Sequence, residues 1–168
     1  SDQRSHSDKK SLAFSYPAKG SYAYKNKRVE GHATSRLIAL PADTITLLDF
    51  QLWLETEAYL GSNTIDVLFV EVIGAFGTVH TLWDSSDGAQ GDTGGVFKPT
   101  SIDLGEFAGQ SIRLRFRFDT GDATSNNYEG PYIDSIELHT ACCTDSFDCA
   151  DGDGCTVDLC AANACTTV

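Results

Sequence analysis

The sequence predicts an all-β chain: an antiparallel β-sandwich followed by a small disulfide-rich tail. Three observations lead there. No segment shows the 3.6-residue apolar period of an amphipathic helix. Around eight or nine runs instead have the length and period-two alternation of strands, with Gly, Asn, Asp and Pro turn signals between them. All six cysteines fall between Cys142 and Cys165, so the first 141 residues have none.

The elements follow in order along the chain. "SDQRSHSDKKS" is a polar leader without periodicity. Phe14, Tyr16, Tyr22 and Tyr24 then alternate around Pro17 and Gly20, the pattern of two short strands or one bent edge strand. Residues 1–24 form this N-terminal segment. "TSRLIALP" is a short apolar run closed by Pro41. "TLLDFQLWLETE" is the clearest strand: Leu48, Phe50, Leu52 and Leu54 share one face, and Asp49, Gln51, Trp53 and Glu55 the other. "TIDVLFVEVIG" is apolar on both faces near its middle, which predicts a central strand. "GTVHTLWD" alternates again, "DSSDGAQGDTGG" is a loop, and "TSIDLGEFAGQ" is a short strand and turn. "SIRLRFRFD" sends Ile112, Leu114, Phe116 and Phe118 inward and Arg113, Arg115 and Arg117 outward. "YIDSIELHT" closes a sandwich spanning residues 25–140, and the tail occupies 141–168.

Composition narrows the function classes. The formal net charge of -12 argues against nucleic acid or an anionic membrane as partner, since both repel an acidic surface. No apolar run approaches the ~20 residues of a membrane span. The chain has no Met, and the expectation is a processed or excised segment whose signal peptide is gone. Cys142, Cys143, Cys149, Cys155, Cys160 and Cys165 crowd a Gly-rich stretch with little core, which reads as a disulfide knot. Zinc is the rival reading, but it would want paired ligands at C-x2-C spacing, and the tail has no His. Six cysteines allow 15 pairings, and spacing does not choose among them. Disulfides imply an extracellular or cell-surface location.

Four pieces, "LDFQLWLE", "DVLFVEV", "IDLGEFAGQSIRLRFRFDTGD" and "GPYIDSIEL", occur in order between Ala33 and Leu138. Together they resemble the jelly-roll modules of the MAM-like and immune-inhibitor-A-like group. The resemblance implies a jelly-roll sandwich of the kind found as an accessory domain on many secreted proteins, with a structural calcium near its closing corner. Where that group closes on "IDDI" this chain has Ser135 in place of the second Asp, so only Asp134 carries over. The tail resembles the Cys- and Asp-rich extracellular repeats built on "CTxDxC", here "CTVDLC".

The stretch "FDTGDATSNNYEGPYIDSIEL" gathers Asp119, Asp122, Asn126, Asn127, Glu129 and Asp134 between two strands. Ile136 and Leu138 are in phase with Asp134, while Ile133 is not. Either a bulge interrupts the strand, or Asp134 turns toward the core. An inward carboxylate needs an ion, an Arg or several N–H donors. Hard oxygen ligands on a loop suit calcium, which takes 6–8 oxygens at loose geometry. The competing readings are a plain turn, where Asp and Asn favour the local geometry, and a catalytic carboxylate pair. In the tail, Asp148, Asp151, Asp153 and Asp158 could share a second calcium. "DGDG" resembles part of an EF-hand loop but lacks the closing Glu, and a solvated acidic turn is the rival reading.

Trp53 and Trp83, with the row Arg113, Arg115 and Arg117, are candidates for stacking and binding a glycan. The competing reading packs Trp53 under the N-terminal segment or against Arg, and pairs the Arg row with Glu55, Glu57 and Glu71 across strands. No G-x-S-x-G elbow, H-E-x-x-H, P-loop or dinucleotide fingerprint is present, so the expectation is a non-enzymatic module. Three roles stand: a calcium-stabilised structural or adhesion module, a carbohydrate-binding module, or an accessory domain of a secreted hydrolase. The expected partners are a glycan or protein at the cell surface, with self-assembly through the N-terminal strand as a further possibility because an open sheet edge accepts any strand.

Overall fold

The computed structural model describes residues 1, 3–8, 10–15, 20–24, 26–42, 44–57, 66–86, 92–141, 149, 158–161 and 164–167. Nine strands build the body: β1 (Leu12–Ala13), β2 (Glu30–Thr34), β3 (Ile38–Ala39), β4 (Ile45–Glu55), β5 (Val67–Ile73), β6 (Val79–Asp84), β7 (Lys98–Asp103), β8 (Ser111–Asp119) and β9 (Gly130–Ala141). One sheet has the order β1-β9-β4-β7; the other has β2-β8-β5-β6, with β3 also on β8. Every pairing is antiparallel. β2 and β3 run along the same side of β8, so they act as one edge strand interrupted at Ser35–Leu37. Counting them as one leaves eight strands in two four-stranded sheets. The chain crosses from sheet to sheet between β1 and β2, β3 and β4, β4 and β5, β6 and β7, β7 and β8, and β8 and β9. That is the order of a jelly roll.

The alternation seen in the sequence accounts for the core. Leu48, Phe50, Leu52 and Leu54 of β4 face Ile112, Leu114, Phe116 and Phe118 of β8, and Leu68, Val70 and Val72 of β5 join them. Phe50 meets Phe116 edge-on at 5.4 Å between ring centres, the geometry aromatic quadrupoles favour. β5 lies between β8 and β6, the central place its two-sided apolar pattern predicts. At the end where β8 runs out, Tyr22 caps the core edge-on against Phe118 at 5.1 Å.

β9 settles the phase of Asp134. Gln51 pairs with Asp134 and Asp49 with Glu137, so Ser135 and Ile136 together face Phe50. This is a bulge, with Ser135 in the left-handed region at φ 50°. Before it, Ile133 points into the core and Tyr132 and Asp134 point outward; after it, Leu138 points in and Glu137 and His139 point out. Of the two alternatives posed by the sequence, the bulge is the one found.

Gly130 opens β9 at φ 86°, and a Cβ there would stand 2.9 Å from both the Phe14 carbonyl oxygen and Tyr22 Cδ1. Only glycine fits where the N-terminal segment crosses the strand. β1 pairs with β9 in the same chain, Leu12 opposite Ile133 and Ala13 opposite Tyr132. The tail contributes a hairpin, β10 (Asp158–Ala161) and β11 (Ala164–Thr167), and a Cys149–Cys165 disulfide. Cys142, Cys143, Cys155, Asp148, Asp151 and Asp153 lie outside the described residues, as do the side chains of Asp158 and Cys160.

Candidate functional site

The six oxygen-bearing residues picked from the closing corner do not share one centre. Asp119 holds Arg28 by two contacts of 2.7 and 2.5 Å and accepts the Gly121 N–H at 2.9 Å. The Arg28 guanidinium, outweighing the cost of burial, holds the Asp119 carboxyl below the usual carboxylate range. Glu129 pairs with Arg4 at 2.6 and 2.8 Å, which lowers its pKa in the same way. Asp122 folds its carboxylate onto Thr124, accepting the N–H at 2.7 Å and the hydroxyl at 3.0 Å, an ordinary Asx turn. Asn127 is exposed. Asn126 is buried.

Asp134 answers to the leader. It accepts N–H bonds from His6 at 2.7 Å, Ser7 at 3.0 Å and Ser135 at 2.6 Å, and the Ser7 hydroxyl at 2.9 Å. Burial alone would raise its pKa, but these donors outweigh it and the carboxyl sits below its ordinary value. Arg4 adds a second tie. Its guanidinium lies 4.1 Å from the centre of the Trp53 ring while it grips Glu129. Trp53 is only 3 % exposed, edge-on to Tyr132 at 5.3 Å. It therefore offers no free face for a sugar to stack on; it packs under the N-terminal segment, as the competing sequence reading had it.

The other glycan candidates are also engaged. Trp83 packs against the core from the edge strand β6. On the outer face of β8, Arg115 and Arg117 both reach Glu71, at 2.6 and 3.1 Å. Arg117 also stacks on Phe69 at 3.9 Å. Arg113 donates to the Ser35 carbonyl at 2.9 Å. Of the three acids proposed as partners for this row, Glu71 is the one used, because the register sets it directly opposite Arg115.

Two arrangements escaped sequence reasoning. The first is a groove of about 620 Å³ across the outer face of β7, β4 and β9. Asp49, Gln51, Thr100, Ser101, Glu137 and His139 line it. Asp49 stands directly opposite Glu137, and its carboxylate meets His139 Nδ1 at 2.9 Å. Two like charges placed opposite each other oppose folding. The bulge is what brings them together, since it turns Glu137 and His139 to the outer face.

The second lies at the end where β4 and β8 run out and β5 and β9 begin. Asp66 is fully buried there. The Tyr22 hydroxyl donates to its carboxylate, and the Glu57 N–H reaches the same oxygen, Oδ2, at 3.4 Å. Burial pushes the Asp66 carboxyl up to about 6. Asp66 Oδ1, Glu57 Oε2 and Asn126 Oδ1 are all buried with no hydrogen-bond donor. Glu57 ends the stretch "TLLDFQLWLETE" and Asp66 lies at the start of the next, "TIDVLFVEVIG", both far in sequence from the acidic closing loop, so nothing in the pattern joins them to it.

No protein-family model matches this chain, and no curated protein matches it. Among the described residues no group of three or more His, Cys, Asp or Glu side chains could hold a metal ion, and no helix is long and apolar enough to cross a membrane.

Proposed function

We propose that this chain is a non-catalytic extracellular module that makes contact at a cell surface, with the groove over β7, β4 and β9 as its contact face. The groove carries the reading. There, charged and hydroxyl side chains line an open hollow, while the neighbouring half of the same sheet is strapped under the leader. A carboxylate pair held opposite each other at some cost to folding is a feature expected of a binding surface rather than of a scaffold.

A carbohydrate ligand is the second reading, and the same groove favours it over Trp53, Trp83 or the Arg row. Asp49, Gln51, Ser101, Glu137 and His139 supply the mixed donors and acceptors that hydroxyl groups need. The extracellular location rests on the cysteine-rich tail and on the resemblance to secreted jelly-roll modules. A calcium ion belongs to the proposal as a stabiliser, without a chemical role.

The test is binding by the full chain to a glycan array and to intact cells, repeated with Glu137→Gln and His139→Ala. Binding that both variants weaken at least tenfold supports the groove. Array binding identifies the carbohydrate reading; cell binding without array binding identifies a protein partner. Binding unaffected by both variants overturns the groove as the contact face.

A further inference from the structure

We infer that Asp66, Glu57 and Asn126 form a binding site for a hard divalent cation, calcium by its donor set, pinning the two sheets together at one end of the sandwich. The inference deepens only the calcium part of the proposed function and is independent of what the groove binds.

The starting point is three oxygens without partners. Asp66 Oδ1, Glu57 Oε2 and Asn126 Oδ1 are each buried, and none accepts a hydrogen bond. Asp66 has no exposed surface and Asn126 is 5 % exposed. Buried oxygens are ordinarily paired, so three orphans at one corner call for an explanation. Each is an acceptor: two belong to carboxylates and one to an amide. The Asn126 orientation follows from its neighbours, because its Nδ2 faces the carbonyls of Lys27 and Asp122 at 3.4 and 3.3 Å and the Thr120 hydroxyl at 3.4 Å. That leaves the oxygen, not the nitrogen, unpaired. What is missing is therefore positive charge or a donor, and not another acceptor.

The residues belong to one place. The Glu57 N–H lies on the Asp66 carboxylate. Asp66 is close enough to feel the charges of both Glu57 and Asp122, and Asn126 bonds the Asp122 carbonyl. Tyr22 closes the circle: its hydroxyl donates to Asp66 and its N–H to the Tyr128 carbonyl at 3.1 Å, two residues from Asn126. The charges that act on Asp66 are those of the acids Glu57 and Asp122; Arg28 and Arg4 are spent on Asp119 and Glu129. An internal cation to neutralise Asp66 is thus absent among the described residues.

The chemistry selects the ion. Two carboxylates with a neutral amide oxygen suit a hard cation, and calcium accepts such mixed sets, with carbonyls and water completing 6–8 positions. Magnesium prefers a tighter octahedron and keeps its water, so it should bind more weakly here. The set holds no sulfur and no imidazole, which disfavours zinc. Only Asn126 belongs to both this set and the one the sequence suggested. Asp119, Glu129 and Asp134 are excluded because Arg28, Arg4 and the leader already occupy them.

The experiment is a thermal scan and a calorimetric titration of the full chain in calcium, in magnesium and in chelator. Variants are Asp66→Asn, Glu57→Gln and, as a control, Arg28→Ala, which alters the same corner without touching the set. Wild type should bind calcium at this site and melt on the order of 5–10 °C higher when calcium is about 100-fold above its dissociation constant. Asp66→Asn should lose at least tenfold in affinity and most of the melting shift. In chelator it should melt no lower than wild type, because it buries an amide where wild type buries an acid; a merely structural Asp66 would instead be destabilised in both conditions. Glu57→Gln should weaken binding without abolishing folding. Arg28→Ala should keep the shift. No calcium heat and no shift in wild type overturns the site. So does a shift that survives in Asp66→Asn, which would place the ion elsewhere, for instance in the acidic tail. Loss of groove binding with the calcium shift intact would count against the proposed function alone.

Discussion

Replacing Asp134 by Ala should release the leader. The carboxylate is 5 % exposed and accepts four hydrogen bonds, three of them from His6 and Ser7. A bond to a charged group contributes ~1.5–3 kcal/mol, so the three leader bonds sum to more than the leader's docking can be worth. The chain has a cheaper response than holding unpaired donors: residues 3–8 can lift into water and satisfy His6 and Ser7 there. The cost is then capped at what docking contributes, and we place it at about 3 kcal/mol. For a chain of this size that lowers the melting temperature by about 6–12 °C. Lifting also removes Arg4 from Trp53, so its emission should shift to the red. Hydrogen exchange at His6 and Ser7 should rise strongly, while that of β4 and β8 stays near wild type. Asp134→Asn, which keeps an acceptor but loses the charge, should fall between the two. A melting temperature within about 1 °C of wild type, with exchange at His6 and Ser7 unchanged, would refute the reasoning.

Acid should act through the same contacts. Asp119, Glu129 and Asp134 each have a folded pKa below the ordinary value. Each therefore adds stability that is present above the unfolded value near ~4 and lost as pH falls through the folded value. A melting temperature measured against pH should drop below about 4, and the drop should be shallower in Asp134→Ala. Glu71 is 2 % exposed between Arg115 and Arg117. Glu71→Ala should cost about 2–3 kcal/mol in a denaturant titration, less than a fully buried pair because both Arg heads can reach water; a loss under about 0.5 kcal/mol would mean that the Arg row is solvated rather than paired. In the tail, non-reducing peptide mapping should recover a Cys149–Cys165 cross-link and no free thiol. Several alkylated cysteines would break the disulfide reading.

The fold was legible because its signal is local. In β4 and β8 the alternation alone fixes which side chains meet, and Leu48 to Leu54 face Ile112 to Phe118 as read. The pairing of Glu71 with Arg115 needed one thing more, the register between β5 and β8, which no single strand carries. The Asp66 corner needed still more. Glu57 lies just past the end of β4 and Asp66 just before β5, and Asn126 belongs to the loop between β8 and β9, 60 residues beyond Asp66 by the numbering; only the closed sandwich brings them to one end.

Asp134 shows where pattern reasoning meets its limit. Period-two alternation allows a residue to be in or out, and in "YIDSIEL" the residues on its two sides give opposite answers. The conflict itself was informative, because a strand can reverse its phase only by inserting a residue. The structure puts that residue at Ser135, in a backbone conformation that costs of order 1 kcal/mol for a side chain other than Gly, Asn or Asp. What the bulge achieves is visible on both sides of it. Upstream, Tyr132 and Asp134 turn out to meet the leader; downstream, Glu137 and His139 turn out to meet Asp49. Without the inserted residue, Glu137 and His139 would face the core and Leu138 would face water, a register that buries a charge and exposes an apolar side chain. One strained serine thus divides the outer face of a single sheet into a half that is sealed by the chain's own N-terminus and a half that stays open.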